Sequence, residues 1–257
     1  MYKFIQRRMQ MYRGVYKIAG HRIEIVSLYE EVHRLCKEYR YDGEIEVTIT
    51  VMESDILEER EKSIAEDKKE GLPIRQYPDS YLETLSVYRK LTEYLLDYDI
   101  LLFHGSVVAV DGQGYLFTAK SGTGKSTHTN LWMQMFQGRA MMVNDDKPLL
   151  EVGAQGIIVY GTPWDGKHHR STNISVPLKA ICILNRGQEN KIEKVEKKKV
   201  YPLLLQQTYR PRTVEKLKKT LCLFERLLEQ VEIYVLFCTM EEEAVFVAYE
   251  GMGGKVG

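Results

Sequence analysis

The sequence predicts an α/β fold, a mixed sheet flanked by helices, with a small N-terminal α+β lobe. Apolar runs typical of buried strands, such as 178–184, alternate with segments whose apolar residues recur every three or four positions. The composition of the 257 residues, 44% hydrophobic and 28% charged, predicts a packed core. Charge is dense and large apolar residues are few at 53–77. We therefore expect a lobe at 1–77 and a larger domain at 78–257.

Composition and charge argue against several classes of protein. Lysine plus arginine equals aspartate plus glutamate, at 36 each, so no global field attracts nucleic acid or a membrane surface. No apolar run approaches the roughly 20 residues that cross a bilayer, and the N-terminus lacks a secretory apolar stretch. The four cysteines are far apart and fit reduced thiols. We expect a cytoplasmic protein that binds neither nucleic acid nor membrane, and the sequence leaves open whether it forms a homo-oligomer.

The N-terminal lobe is expected to contain short strands around one helix. Strands at 15–18 and 22–26 flank Ala19-Gly20, a turn signal that predicts a hairpin. A helix is expected from a cap at Ser27 to about Tyr39, and a half-buried strand at 44–52. The charged segment 53–70 is interpreted as a solvated helix or loop, with a docking segment for a partner as the alternative.

In the larger domain a helix is expected from Asp79 or Ser80, and the motifs of interest follow it. Strands are predicted at 100–110, 115–118, 140–143, 149–152, 157–160, 178–184 and 233–238, with a hairpin turn at 111–114. Helices are predicted at 126–136, 213–231 and 241–249, and the basic run 194–199 as the solvated start of another.

A glycine-bearing loop at 119–127 joins a predicted strand to a predicted helix. Gly124-Lys125-Ser126 matches the end of the Walker A template G-x-x-x-x-G-K-[ST], although Ala119 stands where the first glycine is expected. Backbone N–H groups of such a loop, together with the helix N-terminus, bind phosphate oxygens. Lys125 would reach the β- and γ-phosphates, and the Ser126 hydroxyl would bind Mg²⁺. We expect this predicted phosphate loop to bind a nucleotide through Ser121, Gly122, Thr123, Gly124, Lys125, Ser126 and Thr127.

Paired aspartates follow the predicted strand 140–143. Asn144-Asp145-Asp146 lies about twenty residues after Lys125, where a Walker B carboxylate would hold Mg²⁺ directly or through water. Two adjacent carboxylates can divide the work, because like charges side by side raise one pKa and favour a general base. The alternative is a turn of solvated acids, for which these residue types are equally suited.

His104 ends a predicted apolar strand and precedes Gly105. Taken alone, a histidine here is most simply a structural residue with satisfied hydrogen bonds. The order His-Gly, hairpin, Ser-Gly-Thr-Gly-Lys-Ser loop and Asp-Asp pair, however, resembles the HPr kinase/phosphoenolpyruvate carboxykinase superfamily. The resemblance covers roughly residues 98–180 and is greatest to small HPr-kinase-related proteins, some of which phosphorylate serine in peptides.

The resemblance implies a role for each of these residues. His104 would lie beside the transferred phosphoryl group and help to neutralise its charge. Lys125 would contact the β- and γ-phosphates, and Ser126 with Asp146 would hold Mg²⁺. Asp145 would be the base that accepts a hydroxyl proton, although the division of roles between the two aspartates stays open.

The segment after the acidic pair departs from the resembled family. Residues 161–167 stand where HPr kinase carries a glycine- and asparagine-rich signature, so HPr itself is not the expected acceptor. The chain is also about half the length expected of a carboxykinase, and decarboxylation is not expected. The loop 161–173 carries side chains suited to contact a substrate, or to form a polar surface loop: Thr162, Trp164, Lys167, His168, His169, Arg170 and Ser171.

The sequence therefore predicts an ATP- and Mg²⁺-dependent phosphotransferase acting on a hydroxyl. The acceptor class is a serine of a peptide, a protein or a small molecule, and its identity stays open, as does the choice among ATP, GTP and pyrophosphate. Two alternatives remain. One is a nucleotide-binding sensor or accessory protein, which needs Lys125 and Ser126 but no base. The other is an ATPase, which needs an arginine finger.

Overall fold

A computed structural model describes residues 11–120, 122–166 and 169–255. Ser121, Lys167 and His168, which the sequence singles out, lie outside the described residues. Contacts divide the chain into two units, Met1–Leu91 and Thr92–Gly257. The predicted domain boundary after residue 77 stays a prediction.

The first unit holds a three-stranded sheet followed by helices. The predicted hairpin is confirmed, because β1 (Tyr12–Ile18) and β2 (His21–Ser27) pair antiparallel. β3 (Val47–Thr50) pairs in parallel with β2. The helices are α1 (Glu31–Leu35), α2 (Glu53–Glu70) and α3 (Asp79–Leu95), which runs past the end of the unit. The charged segment after the third strand is thus helical.

The predicted helix start at Ser27 is wrong. Ser27 is the last residue of β2 and pairs with Tyr12, so its backbone is still extended. The next two N–H groups, of Leu28 and Tyr29, both donate to the buried carboxylate of Glu83. Because these donors are bound to a carboxylate outside the segment, the helix begins only at α1 and is one short turn long.

His33 is a buried side chain of the first unit with both ring nitrogens bonded. Ser27 Oγ donates to the Tyr29 carbonyl (2.7 Å), so it accepts from His33 Nε2 at 2.8 Å, which places the proton on Nε2. Nδ1 then accepts from the Tyr16 hydroxyl at 2.7 Å. Burial lowers the pKa of His33, because the charged imidazolium loses its hydration.

Acid is expected to destabilise the chain through His33. The folded protein holds the His33 imidazole neutral, whereas the imidazole of the unfolded chain binds a proton near pH 6.5. The contribution of His33 to the free energy of unfolding is therefore complete above about pH 6.5 and decreases as the pH falls below it. His33→Gln should cost about 1–3 kcal/mol at neutral pH through lost hydrogen bonds. Its urea-unfolding midpoint should then decline less from about pH 6.5 to 5 than that of the wild type. Parallel declines in the two proteins would exclude His33 as the titrating group.

The described residues of the second unit form a nine-stranded mixed sheet. Its strands run in the order β4-β8-β9-β10-β6-β5-β7, with β12 beside β10 and β11 beside β12. Their bounds are β4 (Ile100–Leu102), β5 (Ser106–Val110), β6 (Gln113–Thr118), β7 (Ala140–Asn144), β8 (Leu149–Val152), β9 (Ile157–Tyr160), β10 (Ser175–Arg186), β11 (Lys191–Lys194) and β12 (Glu232–Cys238).

Helices cover both faces of the long strand β10. Ile181 and Ile183 belong to one buried cluster with residues of α5 (Lys197–Leu205) and α6 (Val214–Gln230). Cys182 and Leu184 belong to the opposite cluster, with residues of α4 (Lys125–Met135) and α7 (Glu243–Gly251). A strand buried on both faces has a continuous apolar sequence. The predicted α/β architecture, a mixed sheet between helices, is confirmed.

The apolar run 100–110 is two strands, not the single strand predicted. β4 pairs with β8, whereas β5 pairs with β6 and β7, so the two lie apart in the sheet. Between them the N–H of Phe103 donates to Pro148 O, and that of His104 donates to Gln207 O. The chain therefore breaks at His104-Gly105 because its hydrogen-bond partners change.

Three parallel strands end at one edge of the sheet. Thr118 of β6 stands in register with Ile183 of β10, and Arg186 of β10 with Cys238 of β12. Ligands of α/β sheets bind outside the carboxyl ends of parallel strands. The predicted phosphate loop leaves β6 at this edge. Within the part of the chain that the structure describes, no helix is long and apolar enough to cross a membrane.

Candidate active site

The predicted phosphate loop turns through two glycines into α4. Gly122 and Gly124 have φ of +76° and +115°, a left-handed region that side chains with a Cβ adopt only under strain. Gly124 is the N-cap of α4, and its carbonyl accepts from His128 N–H at 3.0 Å. The first N–H groups of a helix have no acceptor within it and attract anions. Ser126 and Thr127, exposed in this first turn, therefore lie where an anion would be held.

Arg186, at the carboxyl end of β10, tethers the loop. Its guanidinium donates to the carbonyl oxygens of Gly122 at 2.6 Å and Thr123 at 3.4 Å. The Thr123 N–H and hydroxyl both donate to Lys120 O, at 3.2 and 2.7 Å. These bonds fix the described part of the loop from two sides.

Lys125, His104 and Asp146 converge beside the loop. His104 Nε2 lies 3.1 Å from Asp146 Oδ1 and 3.4 Å from Lys125 Nζ. One nitrogen cannot be donor and acceptor at once, so a proton on Nε2 bonds Asp146 and leaves the ammonium group of Lys125 for a ligand. Burial lowers the pKa of Lys125, against the attraction of Asp146 and Asp145. The sequence-predicted residues from three separate segments thus form one cluster.

The two aspartates have opposite environments. Burial raises the pKa of Asp145, and the charges of Asp165 and Asp146 raise it further, against a hydrogen bond from the Gly166 N–H. Burial also raises the pKa of Asp146, but the hydrogen bond from His104 and nearby positive charges outweigh it, so that pKa is lowered. Neighbouring groups whose pKa values are pushed apart are suited to different roles in acid–base chemistry.

Asn144 fixes the turn that carries both aspartates. Its side chain is fully buried at the end of β7, and its Oδ1 accepts from the N–H groups of Asp146 (2.9 Å) and Lys147 (2.6 Å). Its Nδ2 donates to the Thr162 carbonyl (3.2 Å), with Thr162 Oγ1 at 3.0 Å and the Trp164 carbonyl at 3.4 Å. A single amide therefore joins the aspartate turn to the loop after β9.

Gly105 and Ser106, where β5 begins, bind the backbone carbonyl oxygens of the same turn. Ser106 Oγ donates to the Asp145 carbonyl oxygen at 2.7 Å, and the Gly105 N–H donates to Asp146 O at 3.0 Å. Because Gly105 follows His104, these bonds also set the distance between His104 and Asp146. The His-Gly-Ser sequence is thus a clamp on the aspartate pair as well as the source of the imidazole.

Gly166 approaches the Asp145 carboxylate so closely that a methyl group does not fit. A Cβ at this position would lie 2.9 Å from Asp145 Oδ2 and 3.1 Å from its Cγ. Gly166→Ala is therefore expected to displace the carboxylate by a few tenths of an ångström and to lower any activity that depends on its position by about 10–10²-fold. Steady-state kinetics with a melting curve would test this. The control is Gly153→Ala, because a Cβ there would lie 3.1 Å from the backbone oxygen of Gly156, away from Asp145. Full activity in Gly166→Ala would show that the position of Asp145 does not matter.

The 161–173 loop contains buried supports as well as surface groups. Thr162 and Trp164 are buried, and the Thr162 hydroxyl bonds Lys147 O at 3.0 Å, so these two residues support the loop rather than line its surface. Asp165 accepts from the Ser171 N–H at 3.1 Å and lies 2.9 Å from His169 Nδ1. Arg170 bonds the side chain of Asn130 on α4.

Oxygen ligands suited to Mg²⁺ are present in the site. Mg²⁺ is held by one or two carboxylates with substrate phosphates and water, so a cage of protein ligands is not required. Asp146 supplies a carboxylate with a lowered pKa, and Ser126 an exposed hydroxyl at the start of α4. The described residues contain no cluster of three or more His, Cys, Asp and Glu side chains that could hold a metal.

Sequence reasoning missed three residues that build the site. Asn144 was visible only as part of a turn, and Gly166 as part of a polar loop. Arg186 lies more than 60 residues beyond the loop it tethers, with no motif around it. Gly166 and Asn144 can be assigned to the site only when the register of the strands is known, because only then is it clear which segments lie beside the acidic pair.

A family model described as SynChlorMet cassette protein ScmC matches residues 79–211, which is just over half of the chain. The chain belongs to the ScmC family. The matched region of this ScmC-family protein contains the whole cluster of His104, Lys125, Asp145 and Asp146, together with Gly166. The family description names no reaction.

Solved structures also match this ScmC-family chain. The HPr(Ser) kinase/phosphatase from Coxiella burnetii matches with 12% sequence identity and a TM-score of 0.31, over 60% of this chain and 99% of that chain. None of the curated proteins matches the sequence.

Proposed function

We propose that this ScmC-family protein is an ATP- and Mg²⁺-dependent kinase that transfers the γ-phosphoryl group to a hydroxyl. The acceptor class is the serine of a peptide, a protein or a small molecule. The observation that carries the proposal is the convergence of His104, Lys125 and Asp146, with Asp145 in the adjoining position, beside the glycine loop at the start of α4.

The cluster suits the charge of phosphoryl transfer. The transferred group carries negative charge on its oxygens, and catalysis consists mainly of positioning and charge neutralisation. The Lys125 ammonium group and the His104 imidazole lie 3.4 Å apart and would face the β- and γ-phosphates together. The N–H groups of the first turn of α4, at Lys125, Ser126 and Thr127, would hold the remaining phosphate oxygens.

Asp146 and Ser126 would hold Mg²⁺. The bound ion would neutralise charge shared between the β- and γ-phosphates. The lowered pKa of Asp146 keeps it ionised, as a metal ligand must be. Its hydrogen bond from His104 orients the carboxylate, in the manner of the outer contacts that position metal ligands elsewhere.

Asp145 would accept the proton of the attacking hydroxyl. The acceptor oxygen would bond to the γ-phosphorus as the bond from phosphorus to the β–γ bridging oxygen breaks, ADP would leave, and the hydroxyl proton would pass to the Asp145 carboxylate. Asp145 is 8% exposed, and its carboxylate accepts a hydrogen bond from the Gly166 N–H. Burial removes water that would otherwise compete as the acceptor.

The experiment is transfer of label from γ-labelled ATP with Mg²⁺. The wild type would be incubated with free serine, short serine peptides and a lysate, beside Lys125→Ala and the matched control Lys179→Ala on the exposed start of β10. The proposal predicts label in an acceptor with the wild type and Lys179→Ala, and a loss of at least ~10²-fold in Lys125→Ala. Tight ATP binding with no labelled acceptor would favour the nucleotide-binding sensor. Release of labelled phosphate alone would favour an ATPase.

A further inference from the structure

A cavity of about 360 Å³ lies between α4 and the 161–173 loop. Its described wall consists of one face of α4 and one side chain of the loop: Asn130, Met133, Gln134, Gln137 and Arg170. The volume falls within the roughly 300–1,000 Å³ of small-molecule sites. The cavity is therefore large enough to hold a small molecule or part of a peptide.

The face of α4 that lines this cavity begins at the predicted phosphate loop. Asn130 lies four residues after Ser126, so the two side chains share a face and are about 6 Å apart along the helix axis. Gln134 and Gln137 continue that face by steps of four and three residues. The near end of the cavity is thus about one helical turn from the hydroxyl proposed to bind Mg²⁺.

The loop segment that carries Arg170 is bonded at both ends to the aspartate turn or the strand before it. At one end the Gly166 N–H donates to Asp145 Oδ1, and at the other the Thr172 N–H donates to the Val143 carbonyl oxygen at 3.3 Å. Arg170 is two residues from Thr172, so their Cα atoms lie at most about 8 Å apart. Arg170 is therefore held close to the carboxylate proposed as the base.

The polar groups of the wall suit a carboxylate beside peptide groups. Arg170 is exposed and is the only charged side chain among the described residues of the wall. Its Nη1 donates to Asn130 Oδ1, and a guanidinium has several further N–H groups for another acceptor. Bonds from arginine to a carboxylate are charge-assisted and can be bidentate. The amides of Asn130, Gln134 and Gln137 offer both donors and acceptors, as a peptide backbone requires.

We propose that this cavity binds the phosphoryl acceptor, and that the acceptor is a peptide with an acidic side chain about two residues from the reacting serine. The inference rests on the proposed function, since it requires the serine hydroxyl to reach Asp145 and the γ-phosphate. The acidic side chain bonds Arg170, and the amides of α4 bond the neighbouring peptide groups. The spacing follows from the roughly 6 Å between Asn130 and Ser126, which an extended chain spans with about two residues.

The test is binding of three fluorescent serine peptides in the presence of Mg²⁺ and the non-hydrolysable analogue β,γ-imido-ATP. The peptides differ only in carrying aspartate, alanine or lysine two residues to either side of the serine. The wild type should bind the aspartate peptide at least ~10-fold more tightly than the other two, through charge-assisted bonds. Arg170→Gln should bind the aspartate and alanine peptides equally, and Arg170→Glu should prefer the lysine peptide. Arg210→Gln, the same change at an exposed arginine outside the described wall, is the matched control and should keep the wild-type preference.

The outcomes separate this inference from the proposed function. If the wild type binds the ATP analogue but no peptide, or binds the three peptides equally, the acceptor site is overturned and the kinase proposal stands. Failure to bind the ATP analogue would overturn both. A retained preference for the aspartate peptide in folded Arg170→Gln would also overturn the acceptor site. The reversed preference of Arg170→Glu is a result that a merely distorted loop would not give, because distortion does not create affinity for the lysine peptide.

Discussion

Asp145→Asn is expected to lower phosphoryl transfer by at least ~10²-fold, while Mg²⁺-ATP binding changes little. The amide has the shape of the carboxylate and keeps an oxygen for the Gly166 N–H. It cannot take a proton from the attacking hydroxyl, so the loss falls on the chemical step. Single-turnover kinetics beside ATP titrations would separate the two effects.

Two further variants make the Asp145 result specific. Asp146→Asn removes a proposed Mg²⁺ ligand and should weaken Mg²⁺-ATP binding as well as transfer. Asp42→Asn, the same change at an exposed loop position of the first unit, should be silent in both assays. Transfer by Asp145→Asn within about 3-fold of wild type would exclude Asp145 as the base, since general-base catalysis contributes roughly 10²–10⁴-fold.

Asn144→Asp is expected to cost about 3 kcal/mol or more of folding stability and to abolish transfer as well. The side chain is fully buried, and its Nδ2 donates to the Thr162 carbonyl with the Trp164 carbonyl within 3.4 Å. The carboxylate has no N–H to donate, so it would place a negative charge against carbonyl oxygens in a site closed to water. The acceptor half of the network, to Asp146 and Lys147, would be kept.

Urea unfolding would measure the cost of Asn144→Asp, and transfer kinetics its effect on the site. Asn185→Asp makes the same change at a half-buried asparagine of β10 outside this network and should cost far less. Removing a buried N–H donor that faces two carbonyl oxygens should lower the free energy of unfolding by more than about 1 kcal/mol. A smaller decrease in Asn144→Asp would mean that the aspartate turn does not depend on the amide.

Local sequence patterns predicted the parts of the fold that local interactions determine. The Ala19-Gly20 hairpin, the strand before the glycine loop and the amphipathic helix α6 each follow from residue spacing or turn chemistry within a few positions. The same patterns could not place elements whose partners are distant in sequence. The backbone leaves the strand at His104 because its N–H donates to Gln207 O, about a hundred residues later.

The residues of the candidate site likewise include some that a local motif predicts and some that depend on distant contacts. Lys125 and Asp146 are predictable as motif residues, because the chemistry proposed for them would require those side chains at those places in the chain. Asn144, Gly166 and Arg186 were not, because each acts through contacts between segments that only the sheet brings together. Asn144 in particular has the sequence appearance of any Asn-Asp-Asp turn, and its burial is what distinguishes it.

Equilibrium binding of labelled ATP with Mg²⁺, to the wild type and to Lys125→Ala, tests most directly whether the chain holds a nucleotide. A nucleotide site at the glycine loop should give saturable binding with a Kd below about 1 mM, in the range of typical substrate affinities. Lys125→Ala should bind ATP at least ~10-fold more weakly, because it loses the contact of the ammonium group with phosphate. Absence of saturable ATP binding by the folded wild type, or equal affinity in the two proteins, would contradict the proposal that this cluster and loop form a nucleotide site.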